Sequence, residues 1–80
     1  MQVDYRGCRI DVKRERSLGG DMLLYFSIFR IADMYEITSS FSYGNDKVRD
    51  FVRYMKERVD EEIKEAGSLE NIGAEEREVE

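Results

Sequence analysis

The ten residues 22–31 are apolar at almost every position, and this stretch constrains the fold more than any other. Successive side chains of a strand point to opposite faces. One face would carry Leu24, Phe26 and Ile28, and the other Leu23, Tyr25, Phe29 and Ile31. A strand with bulky side chains on both faces is typical of the centre of a sheet, with partners on both sides and a cover on at least one face.

The segment before this strand alternates apolar and polar residues, but the phase of the alternation switches at Arg6-Gly7. The apolar positions are Met1, Val3 and Tyr5 before the switch and Cys8, Ile10 and Val12 after it. A glycine at the switch allows a bulge or a tight turn, so one long bent strand and two short strands both fit. We favour a single kinked strand over residues 3–13. The charged, glycine-containing residues 14–21 are predicted to form a loop.

A half-exposed third strand is predicted after the central one, over residues 35–42. Tyr35, Ile37, Ser39 and Phe41 alternate there with polar residues. Ala32-Asp33 lies between the two strands at a spacing close to that of a hairpin. Because parallel pairing would need a long crossover, the short connections predict an antiparallel meander.

The clearest helical pattern covers residues 47–65. Its apolar residues recur at steps of 3, 4 and 7, namely Val48, Phe51, Val52, Met55, Val59 and Ile63. This spacing places them on one stripe of a helix. Asn45 or Asp46 is predicted to cap the start of the helix, and Gly67 to end it.

Together these elements predict an α+β domain over residues 1–66, in the order β-β-β-α. A three-stranded antiparallel meander would carry one C-terminal helix on one face. We expect the helix to pack on Ile10, Val12, Leu24, Phe26, Ile28, Tyr35, Ile37 and Phe41. Residues 67–80 hold five glutamates against one arginine, a net of −4 that leaves −1 for the domain. With few apolar residues, they are predicted to be an acidic, flexible tail.

A single helix covers only one face of a sheet, so we expect the other face to be open. By alternation it should present Arg9, Asp11, Lys13, Tyr25, Ser27, Phe29, Glu36, Thr38 and Ser40. With the opposite strand parity it would present Met22, Leu24, Phe26 and Ile28. Either way a row of large apolar side chains meets water or a partner, which usually marks an interface. The candidate partner-binding residues are Arg9, Lys13, Tyr25, Phe29 and Thr38.

The opening Tyr5-Arg6-Gly7-Cys8-Arg9-Ile10, the meander and the single C-terminal helix resemble small stand-alone bacterial β-β-β-α proteins of unknown function. Those proteins often begin Tyr-Arg-Gly-aromatic-x-Ile, and this chain has Cys8 at the aromatic position. The resemblance covers residues 3–64 in layout, and it implies the fold without implying any chemistry. In size and acidity the chain is also similar to phage-encoded inhibitor proteins, anti-CRISPR proteins among them.

The composition argues against catalysis. The chain has no histidine, which excludes Ser-His-Asp and Cys-His mechanisms and histidine-based metal sites. Its only cysteine, Cys8, can form no disulfide within the chain and is best interpreted as a small buried hydrophobe. Glu57, Glu61, Glu62 and Glu65 fit a solvated helix face better than an acid–base pair or a magnesium site. We therefore predict no enzyme activity, cofactor or metal.

The location expected is the cytoplasm. The first residues lack the apolar core of a signal peptide, and no apolar run has the length of a membrane span. A lone cysteine fits a reducing compartment.

Two functions from different classes remain. The first is a protein-interaction module, whose open face binds another protein or a second copy of itself. Its acidity would favour basic partners, including nucleic-acid-binding surfaces that it could inhibit. The alternative is binding of single-stranded nucleic acid, with bases stacked on the aromatic side chains beside Arg9 and Lys13. Residues 1–16 carry a net of +2, but the overall isoelectric point near 4.8 opposes this alternative.

Overall fold

Four strands and one helix make up residues 1–44 and 47–73, the part of the chain that the computed structural model describes. The elements are β1 (Gln2–Tyr5), β2 (Cys8–Arg16), β3 (Met22–Arg30), β4 (Tyr35–Tyr43) and α1 (Val48–Ala66). The strands form one sheet in the order β1-β2-β3-β4, and each neighbouring pair is antiparallel. The predicted α+β meander with a C-terminal helix is confirmed, but the prediction of three strands is wrong by one.

The additional strand comes from the phase switch at Arg6-Gly7, which is a hairpin rather than a kink. Both turn residues have positive φ, 50° at Arg6 and 82° at Gly7, as a two-residue type I′ turn requires. The hairpin pairs Tyr5 with Cys8 and Val3 with Ile10. Because directly paired residues share a face, odd positions on β1 lie beside even positions on β2, which explains the switch in phase.

The strand β4 contains a bulge that the alternation pattern did not predict. Ile28 pairs with Thr38, whereas the next residue, Phe29, pairs with Glu36, so that Ile37 is the extra residue. Ile37 still packs against the core. From Thr38 to Ser42, however, each side chain of β4 lies on the face of the sheet opposite to the predicted one.

The core lies between the sheet and α1. Helix residues Phe51, Val52, Met55 and Val59 pack on Cys8, Ile10, Val12, Leu24 and Ile28. The helix contacts β1, β2 and β3, with most of the contact on β2. It ends at Gly67 with φ 88°, as predicted. Lys47 occupies the N-cap position without a side-chain cap bond, and the predicted capping residues Asn45 and Asp46 lie outside the described residues.

The chain continues to pack after the helix ends. Ile72 is only 6% exposed, and Leu69 packs against the core. The folded part therefore extends past the predicted boundary at residue 66, at least to Gly73. Residues 74–80 lie outside the described residues, so a flexible tail there stays a prediction.

Candidate functional site

The sheet face opposite α1 is the candidate site, and we call it the open face. Its side chains follow from the register, because paired residues share a face and residues two apart on a regular strand return to it. They are Arg9, Asp11, Lys13 and Glu15 on β2, Leu23, Tyr25, Ser27 and Phe29 on β3, and Glu36, Ser39, Phe41 and Tyr43 on β4. Among the described elements, the only helix lies on the other side of the sheet.

Three aromatic rings form a contiguous patch on this face, which we call the aromatic cluster: Tyr25, Phe41 and Tyr43. The ring centroids of Tyr25 and Phe41 are 5.9 Å apart, and those of Phe41 and Tyr43 are 5.7 Å apart. The exposed fractions of the three residues are 40%, 48% and 69% in sequence order. Leu23 pairs with Tyr43 at one end of the patch and is itself buried. The cluster is thus a surface of exposed aromatic rings that borders the buried side chain of Leu23.

The structure places four of the five predicted site residues on the open face. Arg9, Lys13, Tyr25 and Phe29 lie there, as the alternation predicted. The placement of Thr38 is wrong, because it pairs with Ile28, whose side chain is buried beneath α1. Ser40 is misplaced for the same reason, since it pairs with Phe26.

The alternation along β4 did not predict two members of the aromatic cluster. Phe41 was predicted to face the helix, but it pairs with Tyr25 on the open face. Tyr43 was not assigned to the predicted strand, which covered residues 35–42. The aromatic–serine alternation over residues 41–43 signals a longer strand, but only the bulge reveals which face these rings occupy.

A shallow depression of about 410 Å³ runs across the open face. Its lining comes from three strands: Asp11, Lys13 and Glu15 on β2, Tyr25 and Ser27 on β3, and Ser39 and Phe41 on β4, with Phe26 and Ser40 at its floor. A wide, shallow surface of this kind suits a protein segment better than a small molecule, which needs an enclosing pocket.

The charges around the aromatic cluster are predominantly negative. Arg9 is engaged by Asp4, with Nε 3.0 Å from Oδ1, and this hydrogen bond holds the pKa of Asp4 below its ordinary value of 3.8. Lys13 has Asp11 and Glu15 two positions away on either side, on the same face. Glu36 adds a further carboxylate opposite Phe29, four positions along β3 from Tyr25. The charges next to the cluster are thus Asp11 and Glu15, with Lys13 between them.

Cys8 and the helix carboxylates do not form a second site. Cys8 is fully buried, and burial raises the pKa of its thiol, so it packs as an apolar side chain. Glu62 accepts a hydrogen bond from Arg58 at 3.3 Å on the helix surface. In residues 1–44 and 47–73, no three acidic or cysteine side chains gather as a metal site would require. Nor does any helix in these ranges combine the length and apolarity that crossing a bilayer demands.

No family model, curated protein or solved structure matches this chain. The resemblance to bacterial β-β-β-α proteins and to phage inhibitors therefore stays a prediction. The functional argument below starts from the geometry and charge of the open face.

Proposed function

We propose that this protein is a non-catalytic interaction module whose open face binds a basic surface of another protein. The observation that carries this proposal is the aromatic cluster, three exposed rings in tilted and T-shaped contact on a face that has more carboxylates than cations. Aromatic side chains are the commonest energetic anchors of protein interfaces, since each buries a large area at a low entropic cost.

The net negative charge of the open face favours a basic partner. Four carboxylates, on Asp4, Asp11, Glu15 and Glu36, accompany two cations on this face, and the chain as a whole carries −5. Negative potential accelerates encounter with a basic surface and disfavours an acidic one. An arginine or lysine side chain of the partner would find both carboxylates and ring faces here.

A basic nucleic-acid-binding groove is the partner that fits this chemistry most specifically. Such a groove is lined by lysine and arginine side chains that normally contact phosphates. A small acidic sheet that occupies the groove would prevent the nucleic acid from binding. This proposal makes the protein an inhibitor of nucleic-acid-handling machinery, as its size and acidity also suggest.

Binding of single-stranded nucleic acid is the alternative, and one observation favours it. Tyr25, Phe41 and Tyr43 form an open sheet platform on which bases could stack. The surrounding carboxylates oppose it, because phosphates would approach them closely, and Arg9 already pairs with Asp4. We therefore rank it second.

The support for a non-catalytic role is chemical. The chain has no histidine, and its single thiol is buried away from solvent with a raised pKa. The carboxylates of the open face lie on a shallow, open surface rather than in an enclosed cleft of the kind that acid–base catalysis uses.

The test is a titration of the protein with two labelled probes, a peptide of alternating arginine and leucine residues and an oligothymidylate, followed by fluorescence anisotropy. We expect the peptide to bind, with an affinity that falls as salt is added. Phe41→Ala should weaken this binding about tenfold or more, because it removes the central ring of the cluster.

The matched control is Tyr54→Ala, which removes an aromatic ring that is 56% exposed on α1, away from the open face. Its affinity for the peptide should equal that of the wild type. Tighter binding of the oligothymidylate than of the peptide would contradict the proposal and favour the alternative. Equal effects of the two alanine substitutions would also count against it.

A further inference from the structure

The outer edge of β4 has almost none of the features that normally prevent an edge strand from pairing with a strand of another chain. β4 is the last strand of the sheet, so one row of its backbone N–H and C=O groups has no strand partner within the described residues. Residues 37–43, Ile-Thr-Ser-Ser-Phe-Ser-Tyr, contain no charge, no proline and no glycine. We call them the uncharged run. Natural edge strands are normally short or carry lysine, proline or inward-pointing charge, which discourages pairing with other chains.

The opposite edge of the same sheet shows those protections. β1 has only four residues, and one of them is Asp4. Where β1 no longer covers β2, the exposed edge consists of Lys13, Arg14, Glu15 and Arg16, all charged. The edge at β4 therefore lacks the charged side chains that protect the edge at β1 and β2.

Neither face of the sheet hides the uncharged run. The helix packs on β1, β2 and β3, and on its side of β4 the run presents the small hydroxyl side chains of Thr38, Ser40 and Ser42 beyond Ile37, which packs against the core. A helix about 10 Å wide is narrower than four strands spaced about 4.8 Å apart, which explains why it stops short of β4. On the open face the run presents Phe41 and Tyr43, the latter 69% exposed.

We propose that the uncharged run pairs antiparallel with the uncharged run of a second copy of this chain, which joins two sheets into one of eight strands. The occupant is a second copy because pairing needs an equally unprotected strand, and β4 itself is such a strand. Self-pairing brings no like charges together, since the run carries none. It also requires only that the N–H groups of each edge donate hydrogen bonds to the C=O groups of the other edge.

The symmetry of this pairing predicts the shape of the dimer. Two antiparallel copies of one edge are related by a two-fold axis perpendicular to the sheet, so both open faces lie on the same side. Phe41 and Tyr43 of each copy then flank the seam, where the rings of the other copy cover part of their exposed surface. Tyr25 and Lys13 remain accessible, so each copy still presents part of its aromatic cluster to a partner. The pairing itself rests on the backbone of the uncharged run and not on the proposed function.

Opposite charges placed at Ser40 provide the test. Ser40 is exposed, lies at the middle of the uncharged run and pairs with Phe26, so a side chain placed there points to the helix side of the sheet, away from the aromatic cluster. In the dimer the two copies of Ser40 lie close to the symmetry axis. Sedimentation equilibrium on the full chain should show a dimer for the wild type. Ser40→Lys and Ser40→Glu should each raise the dimer dissociation constant at least about tenfold through like-charge repulsion.

An equimolar mixture of the two Ser40 variants should recover the dimer, because a lysine then faces a glutamate across the seam. That recovery also shows that both variants are folded. The matched control is Ser27→Lys, which places a charge at the centre of the open face and should leave the dimer intact.

Three results would overturn the proposal. The first is a wild-type monomer at concentrations up to about 1 mM. The second is a dimer that Ser27→Lys dissociates while both Ser40 variants remain dimeric, which would mean that the open faces pack together. The third is a wild-type monomer that dimerises once residues 74–80 are removed, which would assign the edge to the chain's own C-terminal residues.

Discussion

The guanidinium of Arg30 ties the end of the described chain to the sheet. Arg30 is 3% exposed, and its Nη1 donates to the carbonyl oxygens of Leu69 and Ile72, both at 2.9 Å. Its Nε and Nη2 donate to the two carboxylate oxygens of Asp33 at 2.9 Å and 2.7 Å. One buried side chain thus satisfies carbonyl groups from the segment after α1 while it is held in place by the turn before β4.

We expect Arg30→Met to lower the free energy of unfolding by about 2–3 kcal/mol, because it leaves the carbonyl groups of Leu69 and Ile72 without this donor and removes the ion pair with Asp33. Urea unfolding followed by circular dichroism measures the change. Arg58→Met is the control, since it breaks an exposed ion pair with Glu62 on the helix surface and should cost less than about 0.5 kcal/mol. A similar cost for both substitutions would contradict the role assigned to Arg30.

A second residue-scale contact joins the first hairpin to the helix. The carboxylate of Asp60 accepts hydrogen bonds from Arg6 at 2.7 Å and from the Tyr5 hydroxyl at 3.0 Å. The hydrogen bond from Arg6 is the largest cause and lowers the pKa of Asp60 below 3.8. Burial opposes it with a smaller effect, and the hydrogen bond from Tyr5 lowers the pKa further. The hydrogen bond between the Tyr5 hydroxyl and Asp60 raises the pKa of Tyr5 above 10.0.

These shifts predict how stability depends on pH. A lowered carboxyl pKa contributes stability that is complete above the unfolded value of 3.8 and is lost as the pH falls through the folded value. The raised pKa of Tyr5 contributes stability below pH 10.0 that is lost as the pH rises through its folded value. We expect Asp60→Asn to flatten the acid limb of the stability curve, measured as the urea midpoint between about pH 6 and about pH 3. Parallel curves for Asp60→Asn and the wild type would contradict this assignment.

At the scale of the elements, the hairpin between β1 and β2 depends on Gly7. A Cβ at this position would lie 2.5 Å from Cδ2 of Leu69, and the φ of +82° is itself unfavourable for other residues. Gly7→Ala should therefore lower the free energy of unfolding by about 1–2 kcal/mol. Gly19→Ala is the matched control, because its Cβ would meet nothing closer than Ser17 Oγ at 3.9 Å, and it should change stability by less than about 0.5 kcal/mol. Equal effects would show that the turn tolerates a side chain.

The same elements show how much the sequence predicted. The helix was predicted to within one residue at each end, because its apolar stripe and its terminal glycine are local signals. The strand β3 was equally clear from its apolar run. The hairpin at Arg6-Gly7 was left open between two interpretations, and the less favoured one is correct, because Arg6 in the left-handed region is unusual for a non-glycine residue.

The bulge at Ile37 accounts for the residues of the candidate site that were misplaced. A single extra residue exchanges the faces of every position beyond it, so Thr38 and Ser40 moved to the helix side and Phe41 to the open face. The bulge is a property of the register between β3 and β4, so the alternation of residues along one strand does not predict it. The buried position of Arg30 was also not predicted. The signal for it was present, because an arginine at the end of an apolar run and three residues before Asp33 is typical of a buried ion pair.

At the scale of the whole molecule, the described residues form one helix that packs on one face of a four-stranded sheet. The molecule measures 42 × 27 × 19 Å along its principal axes, so it is thin enough for one face of the sheet to lie uncovered by the described elements. That face carries the aromatic cluster, while the edge at β4 carries the uncharged run. The two surfaces are adjacent, and Phe41 and Tyr43 belong to both.

The claim that the open face is the binding surface is tested most directly by NMR. The backbone amide signals of the ¹⁵N-labelled protein would be followed while the arginine–leucine peptide is added. We predict that the largest shift changes fall on Lys13, Tyr25 and Phe41, with smaller changes along α1. Changes that concentrate on the exposed side of α1 and leave these three residues unaltered would contradict the account.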